Sequence, residues 1–365
     1  MKKLKLFSLG ILCFIIGIGF YGCADKSPSK TRPFQVAGYR HKLFGVDFAD
    51  SKNGWISGDY GLLIKTSDGG ETWAPQTTNT ILPLRGVSFV DTSNGWAVGD
   101  QGIILHTSDG GKTWVKQESG IKEHLTRVKF LNAQKGFVMG KFASLLTTED
   151  GGQTWQDISQ KVKEPEKEVK FFIDQEALQE TETDTGAEEV AEESVSEEGM
   201  PVLEPLLNDV YFIDPQNGWI VGEEGNVFHT SDGGGTWQKK ESGVEDDLFG
   251  ICFKDTREGW ITGLNGILLH TEDGGNTWNQ QECPTKQTLF RIVVSGSRGY
   301  AVGNAASIIR TNDGGKTWEL FKPEGISLFS WLRDIKVING KFVVIGALGT
   351  VLLSDNEGEK WKQIT

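Results

Sequence analysis

The residues Thr107-Ser108-Asp109-Gly110-Gly111-Lys112-Thr113-Trp114 place a carboxylate ahead of two glycines, a grouping that could bind a cation or take part in acid–base chemistry. The phrase returns at 66–73, 148–155, 230–237, 271–278 and 311–318, and a worn copy closes the chain at 354–361. A calcium loop needs several oxygen ligands at set spacing, and one aspartate followed by glycines does not supply them. The aspartate is better suited to accept backbone N–H groups from the residues after it, while the glycines take φ values that other residues avoid. Each copy reads as a turn that stabilises the fold.

Other reactive side chains give no catalytic set. His106, His229 and His270 share one column of the repeat with Lys65 and Arg310; on separate repeats they cannot share a metal, and they read as an exposed polar column. There is no Cys-His cluster, phosphate loop or nucleophile elbow, so no cofactor or metal is expected. Cys252, between Ile251 and Phe253, reads as a buried free thiol. In an exported protein it could also pair with Cys283. The charge of −13 is concentrated: residues 160–205 carry fifteen acids and four lysines, leaving the remainder close to neutral. That balance excludes the basic surface of a nucleic-acid binder.

The tryptophans that close the phrase fall at 73, 114, 155, 237, 278, 318 and 361, in steps of 41, 41, 82, 41, 40 and 43. A fixed period near forty residues calls for a repeat architecture. In the second unit, Leu84–Val90 alternates as a strand, Trp96–Val98 is a second, Ile103–Thr107 a third and Thr113–Gln117 a fourth, with glycine-rich turns between them. Four short antiparallel strands per unit is a propeller blade, and seven units predict an all-β, seven-bladed β-propeller over residues 39–365. A second column, Trp55, Trp96, Phe137, Trp219, Trp260 and Tyr300, each after a glycine, opens the second strands; blade seven breaks it, with Val343 nearest. These aromatics are core residues, and only Trp331 of the twelve tryptophans lies outside the two columns.

Lys2, Lys3 and Lys5 precede an apolar run from Phe7 to Tyr21, so residues 1–22 read as a secretory signal. The run is short for a spanning helix. Gly22-Cys23 resembles the end of a lipobox, which makes Cys23 the acylated residue and 23–38 a lipid-attached spacer; an uncleaved anchor is the alternative. Either reading holds the body outside the cytoplasm, on the periplasmic side or at the surface of a bacterial membrane. The step of 82 hides one blade and an acidic insert at 159–205, between blades three and four, whose glutamate-rich composition predicts disorder. Val169–Leu178 is its one apolar stretch, suited to docking as a short helix or strand.

Recognition is expected where the repeats differ. Aligning the first strands gives one column of Phe44, Arg85, Thr126, Asn208, Phe249, Phe290 and Arg333, followed by another of Gly45, Gly86, Arg127, Asp209, Gly250, Arg291 and Asp334. Arg85, Arg127, Arg291 and Arg333 are the candidate partner-binding residues, able to grip carboxylates or carbonyls. The other reading is that these arginines pair with Asp209 and Asp334 and line a wet channel.

The eight-residue phrase resembles the Asp-box, or BNR repeat. The full pattern from Leu84 to Trp114 (Leu-x-x-Val-x-Phe, Gly-Trp-x-Val-Gly-x-x-Gly-x-Ile, Thr-x-Asp-Gly-Gly-x-Thr-Trp) resembles the photosystem II stability/assembly factor family. That resemblance implies a lipoprotein propeller without enzymatic activity that binds subunits of a photosynthetic reaction centre during assembly through an arginine-rich surface. The expected function is a monomeric, membrane-tethered assembly or scaffolding factor for a membrane protein subunit or assembly intermediate. The competing class is a sialidase-like glycoside hydrolase, or a carbohydrate-binding propeller. A sialidase needs a tyrosine nucleophile beside a carboxylate, and among the five tyrosines only Tyr60, next to Asp59, comes near. A carbohydrate binder would want aromatics repeated along the rim column, which instead reads Tyr60, Gln101, Phe142, Glu224, Asn265, Ala305 and Leu348.

Overall fold

Seven four-stranded antiparallel sheets, each made of consecutive strands paired in chain order, make up the computed structural model, which describes residues 41–162, 206–355 and 358–364. The leader, Cys23, the spacer and Val169–Leu178 lie outside the described residues, as does most of the insert. Blade two runs Leu84–Phe89, Gly95–Gly99, Ile104–Thr107 and Val115–Gln117, from the innermost strand outward. The third blade extends past the expected boundary at Ser159. Ile158 and Val162 are buried in its core, and Ser159 Oγ accepts the Leu145 N–H at 3.0 Å, so these residues belong to the blade and not to the insert.

No sheet continues from one blade into the next, and side chains make the seam. The strand-two aromatic of one blade lies flat on a strand-one phenylalanine of the next: Trp55 on Phe89 and Trp96 on Phe130 at 3.4 Å between centroids, Trp219 on Phe253 at 4.0 Å. The same phenylalanine meets its own blade's Asp-box tryptophan edge to face, as in Phe89–Trp114 and Phe130–Trp155 at 6.0 and 5.9 Å. Stacked and edge-on geometries are those that aromatic quadrupoles favour. The glycine before each aromatic has a steric reason: a Cβ at Gly95 or Gly136 would sit 2.3 or 2.6 Å from the ring of Phe89 or Phe130.

Blade seven breaks the column by exchanging partners. Phe342 occupies the glycine position and Val337, paired opposite it, the phenylalanine position, so the ring facing Tyr300 at 4.7 Å comes from the second strand instead of the first. All four strands of this blade are C-terminal, and no strand is shared to close the ring. Closure rests on Leu43, Val46, Phe48 and Trp73 packed against Val343, Ile345, Val351 and Leu353, with Gly349 N–H donating to His41 O at 2.8 Å.

The Asp-boxes lie between strands three and four, on the face opposite the hairpins joining strands two and three. In the second copy, Asp109 Oδ1 accepts the Thr113 N–H at 2.9 Å and Oδ2 the Thr113 hydroxyl at 2.7 Å, while Thr107 Oγ1 accepts the Gly111 N–H at 2.9 Å. Both oxygens of the carboxylate thus bond groups of its own turn. Hydrogen bonds from the threonine four residues on are the leading cause that holds Asp109, Asp150, Asp232, Asp273 and Asp313 at a pKa of about 2, against 3.8 unfolded. Groups depressed in the folded state contribute stability above the unfolded pKa and lose it as pH falls through the folded one. Thermal melts should therefore give a flat melting temperature above roughly pH 5 and a progressive fall between about pH 4 and 2, and Asp109→Asn should shallow that fall.

Candidate functional site at the channel mouth

Each first strand carries a β-bulge at its second residue: pairing passes from Leu43 to Gly45, from Leu84 to Gly86, and likewise in the other blades. A bulge leaves one residue out of the ladder and re-aims its side chain. The two columns of unequal residues therefore have different settings. The bulged column rings the mouth, and the column after it forms a plate inside the channel.

Within the plate, Arg127 and Arg291 lie between Asp209 and Asp334. Arg127 Nε is 3.6 Å from Asp209 Oδ1 and its Nη1 3.3 Å from Asp334 Oδ2; Arg291 Nη1 contacts Asp209 Oδ2, and its Nε is 3.1 Å from Asp334 Oδ1. The carboxylates also join blades, because Asp209 accepts the Ile251 N–H and Asp334 the Val46 N–H, each at 3.1 Å and each from the next blade. Asp47 and Ser88, two residues further along their strands than Gly45 and Gly86, do the same for Phe89 N–H at 2.8 Å and Phe130 N–H at 3.2 Å. The second reading of the sequence, arginines paired with Asp209 and Asp334 in a channel, describes where Arg127 and Arg291 lie.

At the mouth, Arg85 and Arg333 are set among rings. The Arg85 guanidinium is 5.2 Å from the Phe44 centroid, and Phe44 stacks on Trp331 at 6.2 Å with planes 11° apart. Arg333 lies 4.8 Å over Phe290, whose edge meets Phe249 at 5.6 Å. Arg85 Nη2 donates to Asp100 Oδ2 at 3.0 Å, and His124 Nδ1 is 2.8 Å from Asp100 Oδ1. Burial would raise the Asp100 carboxyl, and the hydrogen bonds from Arg85 and His124 more than offset it, leaving the pKa lowered. Arg333 has no carboxylate within ion-pair distance among the described residues. Burial first, then the Arg127 and Arg85 charges, push it down to about 10, so it remains cationic at neutral pH.

Exposed apolar side chains share this face: Phe329 is 84% exposed in the loop leading to Trp331, and Tyr60, Phe142 and Leu348 stand at hairpin tips. The rim column that looks irregular in sequence is regular in backbone. Tyr60, Gln101, Phe142, Glu224, Asn265, Ala305 and Leu348 all have φ between 49° and 57°.

One expectation changes. The histidine column is half-buried, not exposed: His106, His229 and His270 lie against Trp96, Trp219 and Trp260 with centroids 4.7–4.9 Å apart, and burial lowers their pKa values. These imidazoles pack on the indoles as aromatic rings, whereas Lys65 lies 5.0 Å over Trp55 as a cation. Of the two readings of the cysteines, the free one holds; Cys252 is buried, which pushes its thiol up to about 12. Trp331, outside both tryptophan columns, joins the mouth. Among the described residues there is no group of three or more His, Cys, Asp or Glu able to hold a metal.

Seven four-stranded blades, six intact aspartate turns and a variable ring at the mouth define an Asp-box propeller. The chain belongs to the family described as photosynthesis system II assembly factor YCF48, whose profile matches residues 31–116, 77–197, 191–286 and 276–365. A 70-residue stretch is 36% identical to the photosystem II assembly lipoprotein Ycf48 of Prochlorococcus marinus strain MIT 9312, covering 17% of this chain and 19% of that protein. Another of 36 residues is 50% identical to the chloroplastic photosystem II stability/assembly factor HCF136 of Cyanidioschyzon merolae, covering 9% of this chain and 8% of that one. The chain thus aligns with under a quarter of the length of these curated relatives. Among solved structures it superposes on YCF48 bound to D1 peptide with a TM-score of 0.65 at 19% identity, over 89% of this chain and 96% of that one. A GH74 xyloglucanase from Xanthomonas campestris also scores 0.65, at 11% identity over 90% of this chain and 55% of that one. Likeness at this identity speaks to the fold alone.

The plate and the mouth should respond differently to mutation. Arg291→Met leaves two buried carboxylates short of a guanidinium and should cost about 3–5 kcal/mol in urea denaturation. Arg333→Met, which removes an unpaired charge from over a ring, should cost no more than about 1 kcal/mol.

Proposed function

We propose that this chain is a non-catalytic, extracytoplasmic assembly factor that docks a membrane protein subunit on its channel mouth. The observation that carries the reading is Arg333, a guanidinium without a carboxylate partner among the described residues, set in a ring with Arg85, Phe44, Phe290 and Trp331. Aromatic and arginine side chains are those that most often dominate the energy of protein interfaces. Arg85 and Arg333 contact the partner; Arg127 and Arg291 support the mouth from beneath. Family membership points to a subunit of the photosystem II kind, and the D1 peptide carried by the solved relative is a suitable probe.

The non-catalytic reading is supported by the channel carboxylates. Glycoside hydrolysis needs one carboxyl free to donate a proton and a second facing the sugar. The oxygens of Asp209 and Asp334 are already occupied by backbone N–H groups and guanidiniums. The leader and Cys23 are read as the tether, with the body acting as a monomer held at a bacterial membrane.

Two experiments test this. Arg333→Ala, which strands no carboxylate, should weaken D1-peptide binding at least about tenfold while leaving the melting temperature nearly unchanged. Equal affinity in the two proteins would remove the mouth from the reading. Cys23→Ser should move the protein from the membrane pellet to the soluble fraction after cell breakage, and retention in the pellet would reject acylation as the anchor.

A further inference from the structure

Beneath the arginine–aspartate plate the channel holds a second layer of side chains, two residues further along each first strand: Asp47, Ser88, Lys129, Tyr211, Cys252, Val293 and Lys336. Two residues of extended chain place it about 6.6 Å from the plate. Asp47 is fully engaged, accepting Phe89 N–H through Oδ2 and lying 2.8 Å from Lys336 Nζ through Oδ1. Asp209 and Asp334 are taken by the two arginines. The channel therefore carries Arg127, Lys129, Arg291 and Lys336 against three carboxylates, and Lys129 is the cation left over, with no hydrogen bond or ion pair among the described residues. Burial disfavours its ammonium, and so does the charge of Lys336; the Asp47 carboxylate acts the other way but is out of ion-pair reach and does not offset them.

We propose that this lower layer is a binding site for a small tetrahedral oxyanion, held between Lys129 and Lys336 with the Ser88 hydroxyl as a further donor. An uncompensated ammonium in a confined space is costly, and an anion is the group that removes the cost. The Ser88 oxygen already accepts the Phe130 N–H, which leaves its hydrogen free to donate. The lined cavity of about 350 Å³ is roomy for such an ion with several waters, each of which takes about 30 Å³. The first strands of blades two, three and seven would share one ligand, so occupancy links blades on both sides of the ring closure. The site is separate from the docking face and does not depend on that reading.

Inorganic phosphate titrated into the full chain by calorimetry, at matched ionic strength, should bind saturably with one site per chain. Lys129→Met removes the unpaired charge without stranding a carboxylate, so it should fold, and it should weaken phosphate binding at least tenfold. Crystals soaked in selenate should show density between Lys129 and Lys336. Absence of saturable binding, or equal affinity in the Lys129→Met protein, overturns the site. Acetate binding as tightly as phosphate overturns the tetrahedral assignment, because a planar carboxylate would then satisfy the donors equally well.

Discussion

The sheet hydrogen-bond ladder stops at the edge of every blade, and that constraint organises the rest of the molecule. Seven sheets of four strands satisfy their own ladders, but nothing in those ladders holds one sheet against another. The seam has to be made from side chains. It is made twice over: by flat aromatic pairs between strand two and the next strand one, and by channel carboxylates and a serine that accept N–H groups from the neighbouring blade. The first device is apolar and joins the first five blades in turn, through Trp55–Phe89, Trp96–Phe130, Phe137–Phe212 and Trp219–Phe253. The second is polar and appears only at certain blades. Lacking a shared strand, the closure between blades seven and one replaces the aromatic pair with aliphatic packing of Phe48 and Trp73 on Val343 and Leu353, and keeps the polar device by tying Asp334 to Val46.

The carboxylates explain why the channel holds arginines at all. Asp209 and Asp334 accept N–H groups from blades five and one, and a buried carboxylate is costly without a counter-charge. Arg127 and Arg291 supply that charge to both acids at once. The bulge then frees the preceding residue from this duty, because it turns that residue out of the ladder and toward the mouth. One strand thus presents a structural residue and a free one side by side, as with Asp334 and Arg333.

Much of this was legible in the sequence, and the divisions are instructive. Period, blade count and strand order followed from the spacing of glycine, aromatic and Asp-box positions, because each of these meets a steric or hydrogen-bonding demand that six of the seven blades repeat. The two variable columns were visible as departures from the repeat. Their different fates were not, since a bulge leaves no residue-type signal when its first member is Phe44 in one blade and Arg85 in another. The lower channel layer was missed although the same alignment contains it: Asp47, Lys129 and Lys336 share a column two residues on. Hidden for a different reason was the exchange in blade seven, where Phe342 and Val337 each look like a loss and only their pairing across the hairpin shows that the ring has moved from one strand to the other.

The rim shows where the fold accepts a cost. All seven hairpin tips between strands two and three put a non-glycine residue in the left-handed region, with φ from 49° to 57°. Asparagine tolerates this; for tyrosine, phenylalanine or leucine it costs roughly 1–2 kcal/mol. In blades one and two the residue that follows cannot take over the role of side-chain carrier, because a Cβ at Gly61 or Gly102 would come 2.0 or 2.1 Å from the carbonyl oxygen of Thr80 or Ile121. Glycine at the tip would relieve the strain, and the chain nevertheless keeps Tyr60, Phe142 and Leu348 there, exposed, on the face that carries Arg333 and Trp331. Apolar exposure and backbone strain are both unfavourable in the isolated propeller. Their concentration on one face, while the opposite face is given over to self-satisfied aspartate turns, is the asymmetry expected of a surface shaped for contact with another molecule.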